Sequence, residues 1–390
     1  MGTLNRDRWG HLTDRFSKDN PKKMLALDGG GIRGLMTARV LVELERLLAE
    51  RVADDPSKFR LCDYFDYIGG TSTGAIIAAA LARGMSASEL LDFYQDFGEK
   101  AFTKRNLFLR WKSLYGDGEL ERKLIEVFEE KTQLFPEDLK TLLLVVTRNM
   151  TTDSAWPISS NPDAMFNDPK ASYCNLKFPL YQIVRASTAA PVFFPPEVIR
   201  VDEDGEDYVF VDGGTTPYNN PAFLMYRMAT EPAYRLSWPS GENQLLIVSL
   251  GTGSAPVLGS DAEDPESNLA AAAVNTLSAV MSQAQVDQDM NCRTVGRCSH
   301  GAEIDLEVRD LIPRDENGQR VPLDQDLGRN FLYLRYNAEL TREGLDELGL
   351  TDVDPKEVSK LDSTDGMPDL LRIGEQVAKQ IRMEDFGSFV

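Results

Sequence analysis

Residues 61–84 read LCDYFDYIGGTSTGAIIAAALARG. A short apolar run ending near Ile68 meets a glycine-bounded turn, and an alanine-rich helical stretch follows, closed by Gly84. The turn Gly70-Thr71-Ser72-Thr73-Gly74 fits the spacing G-x-S-x-G. Between a strand and a helix that spacing has a mechanical meaning, because the glycines permit a tight bend that lifts the serine hydroxyl above a sheet. A helix starting behind Ser72 also adds positive potential where negative charge develops in acyl transfer. The same letters describe a plain glycine-serine turn with a helix N-cap, so the rest of the chain has to decide.

Upstream, residues 25–41 (LALDGGGIRGLMTARVL) repeat the strand-turn-helix logic. Gly29-x-Gly31-x-x-Gly34 satisfies a dinucleotide fingerprint, which would seat a pyrophosphate on the helix N-terminus. The alternative uses the same backbone N–H groups to hold an oxyanion. The fingerprint demands an acidic residue about 20 positions on, at the end of a second strand. Residues 50–60 instead read ERVADDPSKFR, a loop, and the next strand leads into the serine turn. The oxyanion reading is therefore preferred.

Further strands are expected at 22–28, in LKTLLLVVTRN (139–149), in YVFVDGG (208–214) and in QLLIVSLGTG (244–253), with helical patterns between them. Such alternation implies an α/β fold, a mainly parallel sheet sandwiched by helices, with its site beyond the strand C-termini. A long helix is expected from NLAAAAVNTLSAVMSQAQVDQDM (268–290), followed by mixed strands such as NFLYLRY (330–336) and polar helices. The reading divides the chain into a tail, 1–21, a main domain, 22–320, and a C-terminal extension packed on the core, 321–390, with a soft boundary. Acidic VDEDGED (201–207) reads as a hairpin tip and GSAPVLGSDAEDPESN (253–268) as a loop.

The net charge of −20 repels nucleic acid polymers and gives no general attraction to anionic membranes, so any membrane contact must be local. EKAFTKRNLFLRWKSLY, residues 99–115, is the main local departure from acidity and interleaves basic with aromatic side chains, as suits an interface. The N-terminus lacks the apolar core of a secretory signal, no run spans a bilayer, and the four cysteines make no disulfide framework. These features predict a cytoplasmic protein. Cys292, Cys298 and His300 lack metal-site spacing, so the cysteines read as ordinary thiols.

A serine nucleophile needs a base, yet the only histidines are His11 in the tail and His300 in a loop-like segment. A carboxylate is the better candidate. Asp212 ends the strand in VFVDGGTTPYNNP and precedes two glycines that permit close approach; desolvation would raise its pKa toward that of a useful base.

Together these pieces resemble the patatin-like phospholipase family, a relative of the α/β hydrolases that uses a Ser-Asp dyad. The segments DGGGIRG (28–34), GTSTG (70–74), RASTAAPVFFPP (185–196), VDGG (211–214), NNP (219–221) and VSLGTG (248–253) stand in the family's order. The resemblance implies Ser72 as nucleophile, Asp212 as general base, and Gly30, Gly31 and Ile32 as oxyanion donors. Arg33, Gly70, Gly74 and Gly213 would support them. It implies hydrolysis of fatty acyl esters through an acyl-Ser72 intermediate, without metal or organic cofactor, at the inner face of a membrane whose phospholipid is the substrate. The layout is also similar to bacterial effectors of antiphage defence switched on by a cyclic nucleotide; a constitutive lipid esterase and a non-catalytic ligand sensor are the competing readings. Homo-oligomerisation stays open.

Overall fold

The run KKMLAL forms β1, Lys22–Leu27, and its side chains divide between two cores. Leu25 and Leu27 join a large apolar cluster on one face, and Met24 and Ala26 join a second cluster on the other. This follows from the two-residue side-chain period of a strand. Because both faces are covered, a central strand reads as a continuous apolar run. The same holds for β7, Leu245–Leu250, all of whose residues are buried.

The structure is a computed structural model that describes residues 4–17, 19–101, 119–191, 193–200, 205, 207–254 and 269–390. Among these, the remaining strands are β2 (Tyr67–Thr71), β3 (Leu142–Asn149), β4 (Ser154–Ser159), β5 (Glu197–Arg200), β6 (Asp207–Asp212), β8 (Arg297–His300) and β9 (Leu332–Tyr336). They build one sheet in the order β5-β6-β3-β2-β1-β7-β9-β8, with β4 also on β3. The pairs from β3 through β2, β1, β7 and β9 to β8 are parallel, and those of β4, β5 and β6 are antiparallel. The mainly parallel α/β sheet expected from the sequence is the one observed.

The longer helices are α1 (Gly34–Val52), α2 (Thr73–Ala82), α3 (Ala87–Ala101), α4 (Glu119–Phe128), α5 (Leu180–Ser187), α6 (Ala222–Thr230), α7 (Leu269–Val295) and α8 (Met367–Ala378). Helices α1 to α5 and α8 contribute to the larger cluster. Helix α6 and the N-terminal Trp9, Leu12 and Phe16 cover the opposite face. The stretch from 321 onward supplies β9 to the sheet between β7 and β8, and α8 packs on α1. A Cβ on Gly374 of α8 would sit 2.8 Å from the Met36 carbonyl, so the two helices approach backbone to backbone there.

One register detail sets up the site. β4 occupies one edge of β3 along 144–149, leaving the other edge to be shared. On that shared edge β2 pairs up to Val146 through Thr71, and β6 takes over at Thr147 through Asp212. Since β6 runs antiparallel to β3 and β2 parallel, the two strands abut C-terminus to C-terminus. Thr71 and Asp212 stand at the join.

The strand expected to end near Ile68 runs on to Thr71 and takes in Gly69 and Gly70, while Leu61–Tyr64 is a short helix. The cause is packing. A Cβ on Gly70 would lie 2.0 Å from the Gly74 carbonyl oxygen, because α2 turns back directly over the strand that precedes it. The acidic 201–207 tip joins β5 to β6 and is described only at residues 205 and 207. The basic-aromatic segment 99–115 lies outside the described residues from 102 onward, and the 253–268 loop from 255 onward.

Candidate active site

Ser72 follows β2 directly and is held at φ 55, ψ −123, a backbone conformation that non-glycine residues rarely adopt. Strain of this kind persists only where the surroundings over-determine it. Here the Ser72 N–H donates 2.9 Å to Ser187 Oγ, whose hydroxyl donates 2.7 Å to the Val146 carbonyl. The Ser72 carbonyl accepts from Ala75 and Ile76 and so opens α2. Gly74 allows the close approach to β1, since a Cβ there would meet the Leu27 carbonyl at 2.2 Å.

Asp212 arrives from the other side of the join. Its Oδ2 accepts a 2.6 Å hydrogen bond from Ser72 Oγ, and its Oδ1 accepts one of 2.7 Å from the Gly214 N–H. Its own N–H donates to the Ala189 carbonyl at 3.0 Å. The segment RASTAAP therefore holds both partners, Ser72 through Ser187 and Asp212 through Ala189. Sequence reading found the segment but gave neither residue a task. Gly213 lets β6 come in: a Cβ there would fall 2.2 Å from the Val146 carbonyl.

Burial is the largest influence on Asp212 and pushes its pKa up to about 6; the hydrogen bonds from Ser72 and Gly214 oppose it. A carboxylate so tuned can take a proton from a hydroxyl and return it near neutral pH. Replacing Ser187 by alanine removes the acceptor from the buried Ser72 N–H. We expect a loss of about 1–3 kcal/mol of stability, measured by urea denaturation.

The glycine turn lies against the serine. A Cβ on Gly29 would be 3.1 Å from Ser72 Cβ. Among the described residues, the N–H groups of Gly30 and Gly31 meet no acceptor. Ile32, expected as a third donor, needs correction: its N–H is engaged 2.9 Å from the carbonyl of Leu361, which reaches in from the C-terminal stretch. Gly31 has φ +60, and a Cβ on it would lie 2.2 Å from that same Leu361 oxygen. Arg33 is buried and points back on the loop, its Nε donating to the Gly30 carbonyl at 3.3 Å. Burial pulls its pKa down to about 10, and Asp28 opposes this.

Asp28 in turn is fully buried and accepts two hydrogen bonds from Arg335 of β9, at 2.9 and 2.6 Å. Burial pulls the Arg335 pKa down, and the Asp28 carboxylate more than reverses it, so the guanidinium stays charged. No sequence signal marked Arg335 or Leu361, because each acts across some three hundred residues of chain.

A cleft opens over Ser72 and Asp212, with apolar walls from Ile76, Leu120, Phe193, Phe194, Met281 and Leu361. His300 is not near it. It ends β8, four strand spacings from β2, or roughly 19 Å across the sheet. There it stacks on Tyr336 at 4.4 Å, and burial, with Arg320 and Arg382 adding to it, pushes its pKa down to about 4. His300→Ala is expected to leave turnover within roughly twofold of the unmodified protein, since sites this far apart act independently. All four cysteines are buried and free. No helix among the described residues is long and apolar enough to cross a membrane.

Comparison with known proteins places the chain in a family. The chain is 31% identical over 247 residues to Patatin-T5 of Solanum tuberosum, covering 59% of this chain and 60% of that protein. It is likewise 31% identical over 249 residues to Patatin-17 of Solanum cardiophyllum, with the same coverage. The chain thus spans about 60% of the length of these curated relatives. Among solved structures, human GIVD cytosolic phospholipase A2 aligns with 94% of this chain and 60% of its own at 12% identity and TM-score 0.44. VipD from Legionella pneumophila aligns with 90% and 67% at 14% identity and TM-score 0.33. The model of the patatin-like phospholipase family matches residues 25–226, which contain the glycine turn, the serine turn and Asp212. More than half of the chain being covered, this protein belongs to the patatin-like phospholipase family.

Proposed function

We propose that this protein is a serine acyl hydrolase that cleaves fatty acyl esters of phospholipids through Ser72 and Asp212. The observation that carries the reading is the 2.6 Å Ser72–Asp212 hydrogen bond on the floor of an apolar cleft. Asp212 takes the Ser72 hydroxyl proton as Oγ attacks the ester carbonyl. The carbonyl electrons move to oxygen, whose negative charge the Gly30 and Gly31 N–H groups and the N-terminus of α2 stabilise. Collapse of this adduct breaks the ester C–O bond, and the leaving alcohol receives the proton from Asp212. Water, deprotonated by Asp212, then attacks the acyl-Ser72 carbon; the proton returns to Ser72 and the fatty acid departs.

The cleft walls suit an acyl chain and carry few groups to hold a polar substrate. Phe193 and Phe194 on the cleft, the exposed Pro195 and Pro196, and the exposed Val198 of β5 form an apolar stretch beside it. This supports a reading in which the cleft opens toward a lipid surface.

The test is fatty acid release from phosphatidylglycerol–phosphatidylethanolamine vesicles, followed by mass spectrometry, with a fluorophosphonate label on Ser72. Unlabelled protein that releases nothing would leave a non-catalytic ligand sensor as the better reading. A parallel arm with cyclic dinucleotides tests the effector reading: release and labelling that start only on nucleotide addition support it, and equal rates without nucleotide mark a constitutive esterase.

A further inference from the structure

We propose that the NNP and GTG turns, with Gln285 of α7, form a grip on a single peptide bond, and that this grip aims and strengthens the Gly30 N–H as an oxyanion donor. The inference rests on the reading of Ser72 as nucleophile. The sequence singled out both turns, and the mechanism above leaves them without a task.

The Gly29 carbonyl accepts from three side chains: Thr252 Oγ1 at 2.8 Å, Asn219 Nδ2 at 3.3 Å and Gln285 Nε2 at 3.3 Å. Thr252 and Asn219 are 0% exposed and Gln285 4%. A carbonyl oxygen has two lone pairs, so three convergent donors exceed what satisfaction of a buried acceptor requires. Asn219 also accepts the Gly29 N–H on its own carbonyl at 3.0 Å, which brackets the residue from both sides. Thr252 lies so close that a Cβ on Gly30 would stand 2.1 Å from its Oγ1, and only glycine fits there.

Two consequences follow from peptide geometry. The C=O of Gly29 and the N–H of Gly30 belong to one planar trans unit and point in opposite directions, so pinning the carbonyl aims the N–H away from the grip. Hydrogen bonds accepted by a carbonyl also polarise its amide and leave more positive charge on the N–H, an effect that a low-dielectric surrounding enlarges. The grip does this with neutral side chains and places no formal charge on the acyl-binding cleft. Thr252, Gln285 and Asn219 are thus positioning residues that act through Gly30.

The experiment compares Thr252→Val and Gln285→Met, which keep volume and remove the donor, with Thr252→Ser, which keeps it. On a soluble fatty acyl ester, the first two are expected to lower kcat about tenfold each with KM within roughly twofold, a smaller loss than removal of an oxyanion donor itself. Thr252→Ser should recover to within about threefold of the unmodified enzyme. Affinity for a fatty-acyl trifluoromethyl ketone, which forms an oxyanionic adduct on serine, should fall by the same factor as kcat. A purely structural role would lower thermal stability without this parallel loss, and that result overturns the proposal. Ser72-dependent hydrolysis that is indifferent to both Thr252→Val and Gln285→Met overturns it as well, leaving the dyad intact. Hydrolysis that survives Ser72→Ala overturns the site reading and this inference with it. Gln285 sits on a helix surface facing the loop, so its variant keeps the test available if Thr252→Val fails to fold.

Discussion

Ser72→Ala is expected to reduce ester hydrolysis by on the order of 10⁴-fold or more while the protein stays folded. The size of the effect follows from the chemistry: without Oγ there is no acyl-enzyme, and the residual rate comes from the donors and the cleft alone. Asp212→Asn should cost a comparable factor, because an amide of the same shape can accept the Gly214 N–H but cannot take the serine proton. Because members of such a unit act together, the double variant should be little slower than either single one. Folding is not at risk in either case. Alanine retains the φ 55 backbone at the elbow through the Ser187 contact, which uses the main-chain N–H and not the side chain. In Ser72→Ala the Asp212 carboxylate loses its hydroxyl donor, one of the two contacts that oppose burial, so its pKa should climb further. Fatty acid release and thermal unfolding, measured side by side, check the pair. Wild-type rates in either single variant would remove the dyad.

What the sequence showed, and what it hid, divide along a physical line. The serine turn and the Asp212 turn are readable as turns because glycine is required wherever backbone comes within contact distance of backbone. The apolar runs of β1, β3 and β7 were readable because a strand covered on both faces must be apolar throughout. The meeting of β2 with β6 was not readable, since it depends on how 142–149 shares its edges. Ser187 was hidden for a related reason: a serine at the end of a short amphipathic helix looks like filler until its neighbour is known to be the strained elbow. Ile32 was misread because the spacing of DGGGIRG shows three consecutive N–H groups and cannot show that Leu361 already satisfies one. The short strands β4, β5 and β8 carry no alternating pattern strong enough to announce them. β8 reads Arg-Cys-Ser-His, and its Arg297 is buried only because Glu242 and the carbonyls of Val321, Pro322 and Gln325 enclose its charge. No local pattern announces such a strand.

The pH dependence of the unmodified protein carries the second large expectation. Asp212 must be deprotonated to act as a base, and its pKa in the folded protein is about 6. We expect kcat/KM to rise about tenfold per unit below pH 6 and to level off above about pH 7. The same shift has a consequence for stability that activity cannot mimic. A carboxyl whose pKa is raised from its ordinary value of 3.8 to about 6 favours the native state below the lower value, where both states are protonated alike. That contribution is lost as pH rises through 6, because the folded protein must then hold a desolvated charge that the unfolded chain gives to water. A shift of this size corresponds to on the order of 3 kcal/mol. Asp212→Asn never ionises and escapes the loss. It should therefore match the unmodified protein in urea denaturation near pH 4 and exceed it by up to that amount near pH 8, while being almost inactive at both. Activity and stability thus pull in opposite directions on one side chain. An Asp212→Asn protein less stable than the unmodified one at pH 8 would mean that the ionised carboxylate is a net favourable group in the fold, and the limb near pH 6 would then have to be absent from the activity profile as well.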